Sequence, residues 1–223
     1  MIYAIIGARG GSAYRGKNLK KINRIPLLAW PINTAKKCHF DGVYFSSDDE
    51  LYLDIAKQWG ATVVKRPAKL ATDTAPDIIW IKHLMESFDK TPDLMILLRP
   101  TTPLRDPVVV QKGIKFITHY MDSLRSVQEL CEPIEKMAHL TKSFKFMGKE
   151  FEKMNAPRQG YKTAYHPNGY FEILRPLVIE KTDTLFGKNV YGYLTPKTIE
   201  IDDEEDYEMV KLLALRKGFL NGQ

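Results

Sequence analysis

Tyr3-Ala4-Ile5-Ile6-Gly7-Ala8-Arg9-Gly10-Gly11-Ser12-Ala13-Tyr14-Arg15-Gly16-Lys17-Asn18-Leu19-Lys20-Lys21 is the stretch from which the fold is read. Its apolar opening has the character of a buried strand. That strand breaks into a loop with three glycines, two arginines and three lysines between residues 9 and 21. Glycines leave backbone N–H groups free to approach an anion, the cationic side chains neutralise several negative charges, and Ser12 adds a hydroxyl donor. A phosphate-bearing ligand is the functional expectation; a solvated basic turn would share the composition. Asn18 follows Gly16-Lys17 where G-x-x-x-x-G-K-[ST] needs a hydroxyl residue, and no G-x-G-x-x-G occurs, which argues against a Walker-type or dinucleotide site.

Downstream the pattern alternates. Leu27, Leu28, Ile32 and Ala35 are spaced for the core side of a helix that begins near Trp30, with Pro31 in its first turn. Residues 43–47 read as a second strand whose polar end, Asp48-Asp49-Glu50, caps a helix over 51–59. Leu51, Ile55 and Trp59 would share one face of it, and Gly60 would stop it. A third strand over 61–64, a loop over 65–75 and a helix over 77–86 follow. Residues 94–98 then form the continuous apolar run of a strand buried on both faces. This order predicts a doubly wound, mostly parallel α/β sheet. Ligands of such sheets gather beyond the carboxyl ends of the strands, so the first four loops should bring Arg9, Asp48, Arg66 and Arg99 together.

The second half is less regular. A helix over 108–120, strands over 123–129, 168–174 and from Val190, and a last helix over 207–216 with Val210, Leu213 and Ala214 inward are expected. Residues 131–164 lack periodicity and suit an excursion with short strands or a subunit-contact arm. One unit over 1–223 is expected, with the excursion at about 131–190.

At 223 residues the chain can bury a sizeable core without disulfides. Cys38 and Cys131 form no C-x-x-C pattern, no run approaches the ~20 apolar residues of a membrane span, and a first strand without a charged and then apolar leader is expected. A cytoplasmic protein is expected. The net charge of +6 raises nucleic acid as a partner, yet the basic residues are spread out, and an anionic small molecule explains the balance as well.

Glu200-Ile201-Asp202-Asp203-Glu204-Glu205-Asp206 is the metal candidate. Glu200 and Asp202 would alternate along a strand end and point to one face, as oxygen ligands of a hard cation such as Mg²⁺ must. Asp203 and Glu204 would cap the last helix.

Ala8-Arg9-Gly10-Gly11-Ser12 followed by Lys17-Asn18-Leu19 resembles the signature loop of the acylneuraminate cytidylyltransferases, which make CMP-sialic acid and its bacterial relatives. Further motifs follow in the family's order: Arg66-Pro67-Ala68-x-Leu70-Ala71-x-Asp73-Thr74, Leu97-Leu98-Arg99-Pro100-Thr101-Thr102-Pro103-Leu104-Arg105, Pro157-Arg158-Gln159, Pro167-Asn168-Gly169 and Glu200-Ile201-Asp202. Four departures stand out. Glu200 is a longer substitute for the first aspartate of the family's metal-binding Asp-Ile-Asp, which Asp202 matches by type. Ala13 takes the place of a lysine in a loop one residue shorter, with Arg15 nearby to supply charge. Arg99 stands where the family has the glutamine that contacts the sugar, and His166 stands just before Pro-Asn-Gly where it has arginine.

The resemblance implies a nucleotide-diphospho-sugar transferase-like, Rossmann-like three-layer fold and transfer of CMP from CTP to an acidic nine-carbon sugar. It implies catalytic roles for Arg9, Lys17 and Asp202, and Mg²⁺ on Asp202 and Glu200. The implied substrate-binding set is Ala8, Arg9, Ser12, Lys17, Asn18, Arg66, Thr72, Arg99, Thr101, Arg105, Arg158, His166 and Asn168. Arg9, Ser12 and Lys17 would take the triphosphate, Asn18 and Arg66 the cytidine, and Arg99, Arg158, His166 and Asn168 the sugar. A homodimer is implied, with an arm from residues 131–164 or the Phe186 region reaching the other subunit. A 3-deoxy-octulosonate, legionaminate or pseudaminate acceptor, or a non-catalytic nucleotide- or RNA-binding module, remain alternatives.

Overall fold

The computed structural model describes residues 1–11, 14, 16–148 and 151–216, the side chains of residues 152 and 153 excepted. Ser12, Ala13 and Arg15 lie outside the described residues. The seven strands of the main sheet are β1 (Ile2–Gly7), β2 (Gly42–Ser47), β3 (Thr62–Lys65), β4 (Leu94–Leu97), β5 (Ser123–Glu129), β6 (Tyr165–Leu174) and β7 (Val190–Leu194). They lie in the order β7-β5-β6-β4-β1-β2-β3. Only β6 runs antiparallel to its neighbours, β4 and β5; the other pairings are parallel. The helices are α1 (Trp30–Lys37), α2 (Glu50–Gln58), α3 (Asp77–Met85), α4 (Pro107–Phe116), the four-residue α5 (Phe151–Met154), α6 (Pro176–Thr182) and α7 (Glu204–Arg216).

Both sheet faces are covered, which is why β1 and β4 are apolar at successive positions. Ala4 and Ile6 of β1 and Ile96 of β4 pack with Ile32 of α1, Leu53 of α2, Val110 of α4 and Val210 of α7. Ile5, Met95 and Leu97 face the other way, against Trp80, Ile81 and Leu84 of α3 and Ile179 of α6. The expected mostly parallel α/β sheet is thus observed. Pro31 falls in the first turn of α1, where its missing N–H is not needed. Gly60 ends α2 with a φ of +86°, a left-handed geometry open to glycine.

Several expectations are corrected. Asp49 caps α2 by accepting from Tyr52 N, so the helix begins at Glu50 and buries Tyr52, Leu53 and Ala56; Leu51 points outward, 54% exposed. Helix α4 ends at Phe116 because Ile117 turns extended and Arg175 takes the Thr118 and Met121 carbonyls, each at 3.0 Å. Residues 199–202 form no strand, although Ile201 N–H donates to Thr101 O at 2.8 Å and the residue is buried between Glu200 and Asp202. Asp203 does cap α7, accepting from Asp206 N at 2.9 Å, whereas Glu204 pairs with Lys20 instead. Residues 131–164 contain two-residue strands at His139–Leu140 and Phe146–Met147, paired antiparallel, and α5. No helix among the described residues is long and apolar enough to cross a membrane.

Candidate active site

The loops leaving β1, β3 and β4 and the segment before α7 enclose one open cleft of about 590 Å³. Backbone bonds fix their roots. Ala8 N donates to Ser46 O at 3.1 Å, Arg66 N to Ser47 O at 2.7 Å and Leu98 N to Ile5 O at 3.1 Å. Ala8, Arg9, Lys17, Asn18, Arg66, Thr72, Arg99, Thr101, Glu200 and Asp202 all line it. Asp48 does not; its Oδ1 accepts from Gly10 N at 3.1 Å and so holds the glycine loop from behind.

Cations and carboxylates face one another across this cleft. Lys17 Nζ donates to Ile201 O at 3.0 Å and stands 3.4 Å from Asp202 Oδ1. Arg9 Nη1 ties its loop to the loop after β3, at 2.9 Å from Thr72 O and 2.8 Å from Asp73 Oδ1. Thr101 Oγ1 donates to Glu200 Oε1 at 2.9 Å. Three carboxylates, two cations and the mouths of three loops therefore surround a space where phosphates would meet both donors and hard oxygen ligands.

At the inner end, Arg66 is buried with its guanidinium 4.7 Å over the Trp80 ring. Its Nε and Nη2 donate to Ser46 Oγ and Ser46 O at 3.1 and 3.0 Å. Burial pushes its pKa down to about 10, and among the described residues no carboxylate pairs with it directly. Gly7 makes room for this stack: a Cβ there would lie 2.8 Å from Trp80 and 2.9 Å from Arg66.

A charge ladder runs across the floor. Arg99 Nη2 donates to Asp77 Oδ2 at 2.7 Å and Glu172 Oε2 at 3.3 Å, and Arg125 Nη2 reaches Glu172 Oε1 at 2.7 Å. Trp80 Nε1 donates to Asp77 Oδ1 at 2.8 Å. Burial opposes the charge on Arg99, but Glu172 and Asp77 together hold its pKa above the ordinary value. Burial likewise opposes ionisation of Asp77, yet Arg99 and the Trp80 indole keep its carboxyl below the usual range.

Four residues of the implied substrate set lie elsewhere. Arg105 is 2% exposed and donates to the carbonyls of Tyr170, Arg99 and Gly169, so it braces the loop after β4 against β6. Asn168 is buried at the irregularity in β6, accepting from Ser126 Oγ at 2.7 Å and Tyr170 N at 3.2 Å and donating to Thr195 Oγ1 at 2.8 Å. His166 is exposed on β6, in register with Gln128. Arg158 pairs with Glu129 at 3.1 Å on the excursion side.

The family model described as Cytidylyltransferase matches residues 3–215. The chain belongs to the cytidylyltransferase family. This family member is 30% identical to the N-acylneuraminate cytidylyltransferase of Escherichia coli O18:K1:H7 over 230 residues, covering 97% of this chain and 53% of the relative. It is 29% identical to the post-translational flagellin modification protein B of Campylobacter coli over 230 residues, covering 97% of this chain and 96% of that one. It spans about half the length of the N-acylneuraminate cytidylyltransferases it matches, but nearly all of the Campylobacter protein. A solved CMP:2-keto-3-deoxy-manno-octonic acid synthetase complexed with CTP has the same fold, with a TM-score of 0.74 at 15% identity over 97% of this chain and 99% of that chain. The fold is that of the nucleotide-diphospho-sugar transferases.

The site of this family member holds residues to which sequence reasoning gave no role: Tyr14, Asp73, Asp77, Trp80 and Glu172. Glu172 left a legible signal, since a lone carboxylate in the run Tyr170-Phe171-Glu172-Ile173-Leu174 would be buried and must find cationic partners. Asp77 and Trp80 left a weaker one, as the first turn of a helix that starts at the loop after β3.

Proposed function

We propose that this chain transfers the cytidylyl group of CTP to the anomeric hydroxyl of an acidic, sialic-like nine-carbon sugar and releases pyrophosphate. The observation that supports it is the meeting of Arg9, Lys17, Asn18 and Arg66 with Glu200 and Asp202 in one cleft of a cytidylyltransferase-family chain. In-line attack forms the bond from the acceptor oxygen to the α-phosphorus as the bond to pyrophosphate breaks. Such chemistry asks for positioning and charge neutralisation more than for covalent help.

In this reading Lys17 exchanges Asp202 for the leaving phosphates, Arg9 and Ser12 hold the triphosphate, and Asn18 and Arg66 bind the cytidine with Thr72 close by. Glu200 and Asp202 fit Mg²⁺: they offer hard carboxylate oxygens, and magnesium takes one or two of these and completes its shell with phosphate and water. The described residues bring together no group of three His, Cys, Asp or Glu ligands, so phosphate oxygens are needed to complete such a site. Bound there, the ion would neutralise charge on the phosphates. Arg99 faces the acceptor.

A homodimer completes the picture. Ile134, Leu140 and Phe144 on the excursion are 61%, 62% and 83% exposed, the character of an arm that packs on a second copy. Arg158 and His166, near its base, would then serve a sugar pocket shared between subunits. Two free cysteines suit a reducing cytosol.

Pyrophosphate release from CTP should require both magnesium and an added nonulosonic acid. No release with any of N-acetylneuraminate, legionaminate, pseudaminate or 3-deoxy-octulosonate would refute the reading. RNA binding with a steep salt dependence and no turnover would favour a binding module.

A further inference from the structure

Glu204 opens α7 two residues beyond Asp202 and does not line the cleft. Its carboxylate nevertheless holds the basic loop at two points. Tyr14 OH donates to Oε2, and Lys20 Nζ reaches Oε1 at 2.7 Å. These two residues lie three positions either side of Lys17. Lys20 Nζ also sits 4.9 Å over the Tyr14 ring and 4.7 Å over the Tyr207 ring, and Tyr207 OH donates to Lys21 O at 2.8 Å. Between the two pinned points, Lys17 N bonds Tyr14 O at 3.2 Å and Lys20 N bonds Lys17 O at 3.0 Å, so the backbone bearing Lys17 has little freedom to shift along the cleft.

We propose that Glu204 is a positioning residue: by pinning the loop on both sides of Lys17 to the first turn of α7, it sets the distance between Lys17 and Asp202. The inference rests on the proposed cytidylyl transfer, in which Lys17 neutralises the leaving phosphates. A carboxylate in this place also keeps a negative charge at the amino end of α7, where the helix favours it. The chemistry is done by Lys17 and Asp202, on the two segments that Glu204 joins, and not by Glu204 itself.

The test compares Glu204→Gln and Lys20→Met with Glu208→Gln, a control one turn along α7 that pairs only with Lys211 among the bonds described. Glu204→Gln and Lys20→Met should each lower kcat about tenfold with KM for CTP within threefold. Lys20→Met removes one of the two pinned points, so the double variant should be no worse than Glu204→Gln alone. Hydrogen exchange of the peptide spanning residues 9–21 should quicken in both variants while that of β4 does not change. A kcat within twofold of the unsubstituted protein, additive losses, or unchanged exchange in that peptide would overturn the proposal. If Glu204→Gln does not fold, Lys20→Met decides it. Should the unsubstituted protein show no turnover with CTP, the cytidylyl-transfer reading fails, and exchange alone then decides the tether.

Discussion

Lys17 Nζ faces Asp202 Oδ1 at 3.4 Å across 185 residues of sequence. The Lys17 side chain is 13% exposed and that of Asp202 74%. An ion pair open to water on one side contributes little to stability, so its two members are free to serve a ligand.

Asp202→Ala should therefore abolish turnover while the melting temperature changes little. Lys17→Ala should cost ~2–4 kcal/mol of transition-state stabilisation, the usual effect of losing one preorganised electrostatic donor. Steady-state kinetics with saturating magnesium, beside thermal melting, checks both. Substantial activity in Asp202→Ala would refute its assignment to the metal.

Arg99→Gln tests the charge ladder. Glu172 is 3% exposed and would keep Arg125 but lose Arg99, while Asp77 would lose its 2.7 Å partner. A destabilisation of about 1–3 kcal/mol is expected in urea denaturation, because the buried Glu172 and the half-buried Asp77 each lose a donor. The amide should also change the ranking of acidic sugars in an acceptor panel, since it both donates and accepts where the guanidinium only donates. Unchanged stability together with an unchanged ranking would remove Arg99 from the acceptor side.

Gly7→Ala separates close approach from loop freedom. Its Cβ would press on Trp80 and on Arg66 Nη2, so a loss of about 1–3 kcal/mol in stability and a higher KM for CTP are expected. At Gly11 nothing lies within 4 Å of the added carbon, and Gly11→Ala should leave stability within about 0.5 kcal/mol. Equal effects at both positions would show that the Arg66–Trp80 stack does not set the requirement.

Cys38 gives a pH dependence. Burial, aided by Asp106, pushes its thiol up to about 11, and Sγ donates to Pro107 O at 3.6 Å. The folded state thus keeps a proton that the unfolded state loses near pH 9. Its contribution is complete below that pH and lost as pH rises towards 11, so stability should fall with pH across this window. Cys38→Ala should flatten the decline in denaturant titrations between pH 8 and 11. At pH 8 the native protein should be alkylated at exposed Cys131 and not at Cys38.

Much of the scaffold could be read before any coordinates. The continuous apolar runs of β1 and β4, the Asp49 cap, Pro31 in the first turn of α1 and Gly60 after α2 are local signals, each set by backbone geometry or by burial on both faces. The motif-bearing loops follow from those strands, and the cleft holds ten of the residues the family resemblance implied. Leu51 misled because packing against the sheet decides which apolar stripe of α2 turns inward, and the buried one, Tyr52, Leu53 and Ala56, lies about 100° round the helix from Leu51 and Ile55.

Sequence alone determined the alternation of strands and helices, the glycine-broken basic loop and the carboxylates before the last helix, since propensity, periodicity and residue chemistry act over a few neighbours. Only the tertiary structure decided that Arg105 and Asn168 are buried braces, that Arg99 shares its fork with Asp77 and Glu172, and that Glu204 spans the loop around Lys17. Those partners are tens to nearly two hundred residues away. A polar side chain taken out of water must find whichever donor or acceptor the packed sheet brings within hydrogen-bond reach, and no local pattern records which one that is.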